Sequence, residues 1–240
     1  MTIVASVKVR DGIVLASDSM TTIQVSLPVP GGGSQAVPVK TYQHARKLFH
    51  IDDRPVGVLT WGVGSLGPRS VESLMLEVSS GTAPNASVED VAQLVGQSVG
   101  ALYQQTFGQL ALPEQPEMGF IIAGYSAGDP FAEEWQVVFP NAAAPAKIRP
   151  NEQNGCSWRG IWFPFQRLFF GADPRMAPNL KASLSSAGVD LALAAPVVDQ
   201  VLGSLVMPVY FDGMPVQDAI DLARFVLETT ISVARFEAGT

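Results

Sequence analysis

The stretch from Met1 to Asp18 constrains this chain most. Ile3, Ala5, Val7 and Val9 alternate with a more polar set that includes Ser6, Lys8 and Arg10. Alternation at period two predicts a half-buried β-strand. Asp11-Gly12 is a turn signal, and Ile13 to Ala16 predicts a second strand. A chain that opens on such a hairpin places Thr2 at the head of its first strand. If Met1 is removed, Thr2 carries both a hydroxyl and a free α-amine. That pair can serve as a nucleophile and its own general base. On position alone, Thr2 reads first as an ordinary β-branched strand residue.

Hairpin register decides what can lie near Thr2. A two-residue loop of Asp11-Gly12 would pair Arg10 with Ile13 and set Asp18 opposite Ala5, on the face away from Thr2. A three-residue loop of Arg10-Asp11-Gly12, with Gly12 left-handed, would pair Val9 with Ile13. Asp18 would then face Val4 and share a face with Thr2. One residue of slip reverses every side chain. The sequence permits both registers.

Composition narrows the class. The chain has 240 residues, 47% hydrophobic and 15% charged, enough apolar material for a sizeable core. A net charge of -7 without a Lys/Arg cluster argues against a nucleic-acid surface. The single cysteine, Cys156, excludes an intrachain disulfide and fits a reducing compartment. We read Cys156 as a small buried hydrophobe rather than a nucleophile. No secretory leader pattern precedes the first strand, and no apolar run reaches the ~18 residues of a membrane span. These features predict a soluble, cytoplasmic protein with no membrane partner.

Further along, Thr22 to Lys40 is rich in proline and glycine and reads as a loop or an exposed hairpin tip. His44 to Ile51 reads as a strand carrying Arg46 and Lys47, and Asp52 to Pro55 as a turn. Val56 to Trp61 predicts a buried strand, followed by Gly62, Gly64 and Gly67 and a helix from about Pro68 to Val78. Ser87, with Asp90 three residues on, caps a helix to about Phe107. Phe120 to Tyr125 and Trp135 to Phe139 read as strands, and Asn141 to Pro150 as a loop. The aromatic stretch Ser157 to Phe170 predicts mixed strand and turn. Helices are expected near Pro178 to Ser185, Asp190 to Leu205, and from Pro215 through Thr229. Strands, then two helices, then strands, then helices imply an α+β layer arrangement. His44 and His50 lack the partner pattern of a metal site.

Three separated segments together resemble the proteasome β-subunit family and its bacterial relatives among the N-terminal-nucleophile (Ntn) hydrolases. They are Thr2-Ile3-Val4, the run Asp11-Gly12-Ile13-Val14-Leu15-Ala16-Ser17-Asp18, and Arg46-Lys47-Leu48-Phe49-His50-Ile51-Asp52. The resemblance implies a four-layer αββα sandwich over residues 1–240, with 23–40 as a loop insertion; the family carries further strands after its last helix, for which the sequence to Thr240 offers no secure match. It implies a threonine-type endopeptidase that works through an acyl-enzyme without a cofactor. Thr2 would be the nucleophile, and Asp18 and Lys47 its electrostatic support. Gly62 would donate its N–H to the oxyanion. Thr21, Ala45 and Thr60 would wall a side-chain pocket, and Thr22 would bond the main chain of an extended peptide.

By the same resemblance, the partners are polypeptide substrates and identical subunits closed into a ring-like homo-oligomer. An ATP-driven unfoldase is not legible. Taken singly, Lys47 reads as a solvated strand residue, Asp18 as a strand-end acid and Gly62 as a tight-turn glycine. The chain also departs from the family. Gly171-Ala172-Asp173 stands where the family carries a serine between glycines, and Ala172 supplies no hydroxyl. That departure leaves a non-catalytic structural subunit as an alternative. An Ntn amidase acting on a small acyl-amide is a third reading.

Overall fold

A computed structural model describes residues 2–28, 34–161, 163–173 and 175–236. Met1, whose removal bears on Thr2, lies outside them, as does Trp162. The elements are β1 (Ile3–Val9), β2 (Gly12–Ser17), β3 (Thr21–Pro28), β4 (Ser34–Tyr42), β5 (Leu48–His50), β6 (Val56–Gly62), the short pair β7 (Ser65–Leu66) and β8 (Arg69–Ser70), α1 (Val71–Gly81), α2 (Val88–Phe107), β9 (Met118–Gly124), β10 (Glu133–Phe139), β11 (Ala142–Lys147), β12 (Gly155–Gly160), α3 (Phe163–Phe170), α4 (Met176–Ser186), α5 (Leu191–Gly203) and α6 (Val216–Ala234). The architecture is mixed α/β. Among the described residues the strands form sheets ordered β12-β1-β2 and β11-β10-β9-β6-β5, with two-stranded ladders β3-β4 and β7-β8. None of these helices is long and apolar enough to cross a membrane.

The chain divides into two compact units, Met1–Gly160 with Phe211–Leu227, and Ile161–Tyr210 with Glu228–Thr240. In the first, β1 is the middle strand of its sheet and all of its residues are buried. The expected half-buried strand is therefore corrected. Its odd residues Val7 and Val9 pack with Ala219 and Ala223 of α6. Its even residues turn to the five-stranded sheet, where Val4 packs on Leu59, Trp61 and Ile121. Even residues Ser6 and Lys8 are buried there too, and both are satisfied. Ser6 Oγ donates to Glu134 Oε1 at 2.6 Å, and Lys8 Nζ to the Asn151 carbonyl at 2.6 Å. Burial pushes the Lys8 ammonium below its ordinary value, and the Glu134 charge opposes that. The far face of the five-stranded sheet is covered by α1 and α2. Ser87 and Asp90 close a capping box on α2, and Val91, Val95 and Val99 reach full burial. Each such side chain contributes roughly 1.5–3 kcal/mol on leaving water.

Both expected hairpin registers are corrected. Val9 pairs with Gly12, Lys8 with Ile13 and Val4 with Ser17, so the turn is Arg10-Asp11. Gly12 lies in the ladder as the first residue of β2, not in the turn. A Cβ there would come within 3.3 Å of Val216 Cγ2. The segment from Asn141 to Pro150 holds a strand, β11, where a loop was expected. It is an edge strand, so Pro145 removes no ladder bond that the sheet needs. The end of the aromatic stretch is helical, not strand and turn. Pro164 suits a first helical turn, and Phe165 and Phe169 meet one turn apart with ring centroids at 5.6 Å. Residues 21–42 form the β3–β4 ladder on either side of 29–33, which lie outside the described residues.

Candidate active site

The site is built where three chain segments end together. β2 stops at Ser17, which frees Asp18 to fold its carboxylate back on the start of β1. Asp18 N–H donates to the Ile3 carbonyl at 3.1 Å, and Asp18 Oδ1 accepts from Ile3 N–H at 2.9 Å. Asp18 Oδ2 accepts from Met20 N–H at 2.9 Å. Lys47 comes from the residue before β5, on the neighbouring sheet. Its ammonium donates to both carboxylate oxygens at 2.8 and 2.9 Å, and also to the Met20 carbonyl. Each side chain of the pair is only 7% exposed. The expected strand from His44 to Ile51 is thus shorter than its pattern, because its first half turns into the site.

Burial pushes the Lys47 ammonium below its ordinary lysine value, and the hydrogen bond and charge of Asp18 oppose that shift. Between the depressed value and the ordinary 10.5, the unfolded chain binds a proton that the folded chain does not. Stability therefore rises with pH across that window. Relative to Lys47→Met, the wild type should gain urea resistance as pH climbs toward 10.5. An equal pH slope in both proteins would show that Lys47 does not titrate there.

Gly62 ends β6. Val63 N–H bonds to the Glu117 carbonyl at 3.2 Å, and Thr60 N–H to the Lys47 carbonyl at 2.9 Å. In an antiparallel ladder the bonding direction alternates. Gly62 N–H therefore points, like that of Thr60, to the side of Lys47, beyond the point where β5 runs. Gly62 has φ +83, and a Cβ on it would lie 2.1 Å from the Glu117 carbonyl oxygen. Only glycine fits this close approach.

Thr2, Thr21, Ala45, Lys47, Thr60 and Gly62 line one cavity of about 210 Å³. Asp18 stands behind Lys47 and is not part of its wall. Thr22 is not on this wall either; its hydroxyl lies 3.3 Å from that of Thr41 on the β3–β4 ladder. Thr60 Oγ1 is buried with no hydrogen-bond partner among the described residues. The cavity also takes in Arg46, Trp61, Ser70 and Glu72, which the sequence reading did not single out. Ser70 caps α1 by accepting from Ser73 N–H at 3.2 Å, so a helix-start signal was the clue available. Gly160 was missed as well. It has φ +89, and a Cβ there would stand 2.1 Å from the Thr2 carbonyl oxygen. No sequence signal marks it.

Two further groups are shifted by their own surroundings. Burial pushes the Cys156 thiol up to about 12, so it stays protonated at neutral pH. In the second unit, Asp173 is held by Arg175 at 2.6 Å and Arg167 at 2.9 Å, which keep its carboxyl well below the usual range.

No family model matches the chain, and no curated protein matches it. Solved structures do align with it. One is Anbu (ancestral beta-subunit) from Yersinia bercovieri, at 13% identity and TM-score 0.46, covering 100% of this chain and 99% of that one. Another is Anbu from Hyphomicrobium sp. strain MC1, at 12% identity and TM-score 0.43, covering 97% and 95%. Membership of the proteasome β-subunit family is therefore corrected. The solved structures that align bear the name Anbu (ancestral beta-subunit), no family model supports that membership, and the likeness is too distant to pass any activity to this chain.

Proposed function

We propose that this chain is a threonine-type hydrolase that cuts peptide bonds from an N-terminal Thr2, exposed by removal of Met1. The supporting observation is that Thr2, Lys47 and the outward N–H side of Gly62 border one cavity, with Lys47 held on a buried Asp18. Thr2 Oγ1 attacks the scissile carbonyl carbon while its proton passes to the α-amine. That amine's reference pKa, about 7.7–8.0, suits a base at neutral pH. The oxyanion forms against Gly62 N–H. The α-ammonium returns the proton to the leaving amine as the C–N bond breaks, leaving an ester on Thr2. Water, deprotonated by the same amine, then releases the acid. Lys47 stays cationic beside the amine and favours its neutral form. Thr21, Ala45 and Thr60 are small and uncharged, and they wall the side-chain pocket.

The layers of the first unit support an αββα sandwich of the Ntn type, with the β3–β4 hairpin inserted between the acid and the lysine. One cysteine suits a cytoplasmic setting. The test is an electrophile directed at N-terminal threonine. Mass spectrometry should show one adduct on Thr2 of a protein that begins at Thr2. A chain that keeps Met1, or takes no label, overturns the proposal.

A specific observation favours a second reading, a non-catalytic structural subunit. Ala172 has no hydroxyl where the family carries a serine, and Asp173 is engaged by two arginines. The same labelling separates the readings. Both imply copies of this chain assembled together, and α5 supports that. Leu193, Val197 and Val201 lie one turn apart on it and are 74%, 58% and 55% exposed. Such a stripe seeks a partner surface. Light scattering at micromolar concentration should report a homo-oligomer, ring-like if its head-to-tail contacts close. A monomer with full activity would defeat it.

A further inference from the structure

Beside the threonine cavity lies a larger one of about 580 Å³, a size that accommodates a ligand. Its walls are chiefly apolar: Ile13 and Leu15 from β2, Leu48 from β5, and Met75 and Leu76 from α1. Leu15 lies close over Gly57, where a Cβ would meet Leu15 Cδ1 at 2.6 Å. The two cavities share Arg46 and Glu72. These side chains meet at 3.2 Å and are 62% and 51% exposed, so the seam between the cavities is an ion pair that water already weakens.

The main chain alongside is open as well. β5 is an edge strand. Lys47 accepts from Thr60 N–H and Ile51 donates to the Val56 carbonyl, so Lys47, Phe49 and Ile51 bond toward β6. Leu48 and His50 therefore turn their N–H and C=O groups outward. An edge of this kind accepts an extended peptide as an added strand, and a neighbouring pocket then selects its side chains.

We propose that the larger cavity is a second substrate subsite, which takes one large apolar side chain of a polypeptide laid along β5. The bond to be cut lies across the Arg46–Glu72 seam, at Thr2. This rests on the hydrolase reading for its purpose, but its binding is measurable without turnover. The probe is a set of fluorescein-labelled Ser/Gly peptides in which one Phe is moved along the sequence. Binding is followed by anisotropy on Thr2→Ala protein.

One Phe position should tighten binding on the order of tenfold, as burying one aromatic side chain allows. Leu76→Glu should erase that preference and leave the affinity of the Phe-free peptide unchanged. Leu76 is 64% exposed and does not line the smaller cavity, so a charge there spares both the fold and Thr2. A flat scan, no binding at any position, or a preference that survives Leu76→Glu overturns the subsite. Turnover by the wild type with a flat scan sinks the subsite alone. Position-specific binding without wild-type turnover sinks the hydrolase and leaves the subsite standing.

Discussion

Thr2→Ala should lower peptide hydrolysis by at least about a thousandfold, the scale on which removing a nucleophile acts. The reason is that one residue holds two roles. Alanine keeps the α-amine and loses the hydroxyl, so the base survives with nothing to deprotonate except water. Thr2→Ser restores a hydroxyl on the same carbon and should recover a large part of the rate. The fold should hardly notice either change. Thr2 is half-exposed and precedes β1, and its main-chain neighbours Ile3 and Gly160 are untouched. A surface change of this kind stays within about 0.5 kcal/mol. Urea unfolding read beside turnover checks both halves. If Thr2→Ala hydrolyses peptides at the wild-type rate, Thr2 is not the nucleophile.

Asp18→Asn should be costly in a different way. The carboxylate receives Ile3 N–H and Lys47 on Oδ1, and Met20 N–H and Lys47 on Oδ2. Each oxygen already accepts two donors, which fills its lone pairs. Asp18 is thus fully engaged by its own neighbours, and what it holds is the Lys47 ammonium. Asparagine has the same shape but carries no charge, and its NH₂ must face one of these donors. The Lys47 ammonium is then buried without a counter-charge. Removing one partner of a buried pair destabilises by about 3–5 kcal/mol. Adding Lys47→Met to Asp18→Asn should return most of that stability while activity stays lost. Urea midpoints of the wild type, the two single variants and the double variant measure the coupling directly. A double variant no more stable than Asp18→Asn would show that the pair does not act as a unit.

Much of the frame was legible because its signals are local. The capping box at Ser87 and Asp90 and the valine stripe behind it need only one helix to explain them, and α2 follows both. Val56 to Trp61 is apolar enough to be read as buried without knowing its neighbours. Register was not legible. The ladder takes Gly12 into β2 opposite Val9, a third register that neither turn rule offered. Phe163 to Phe170 misled for a related reason, since aromatic residues favour strands until packing one turn apart outweighs that preference. In the site, Thr2 could be named from its place at the head of β1, whereas Asp18 and Lys47 could be named only through the family resemblance, since each alone reads as an ordinary surface residue. Gly160 could not, because what matters there is an absent Cβ beside the Thr2 carbonyl.

The buried polar residues of β1 also fix where its Thr2 end lies. Ser6 and Lys8 reach Glu134 and Asn151 from the even face, and Val7 and Val9 meet α6 from the odd face. Sliding the strand by one residue would drive the Lys8 ammonium against Ala219 and Ala223 and leave Glu134 facing a valine. The strand is therefore indexed like a key with notches on one edge. Thr2 sits four residues from the first notch, about 14 Å away at strand rise. Its location is set at that distance, by side chains that never approach a substrate.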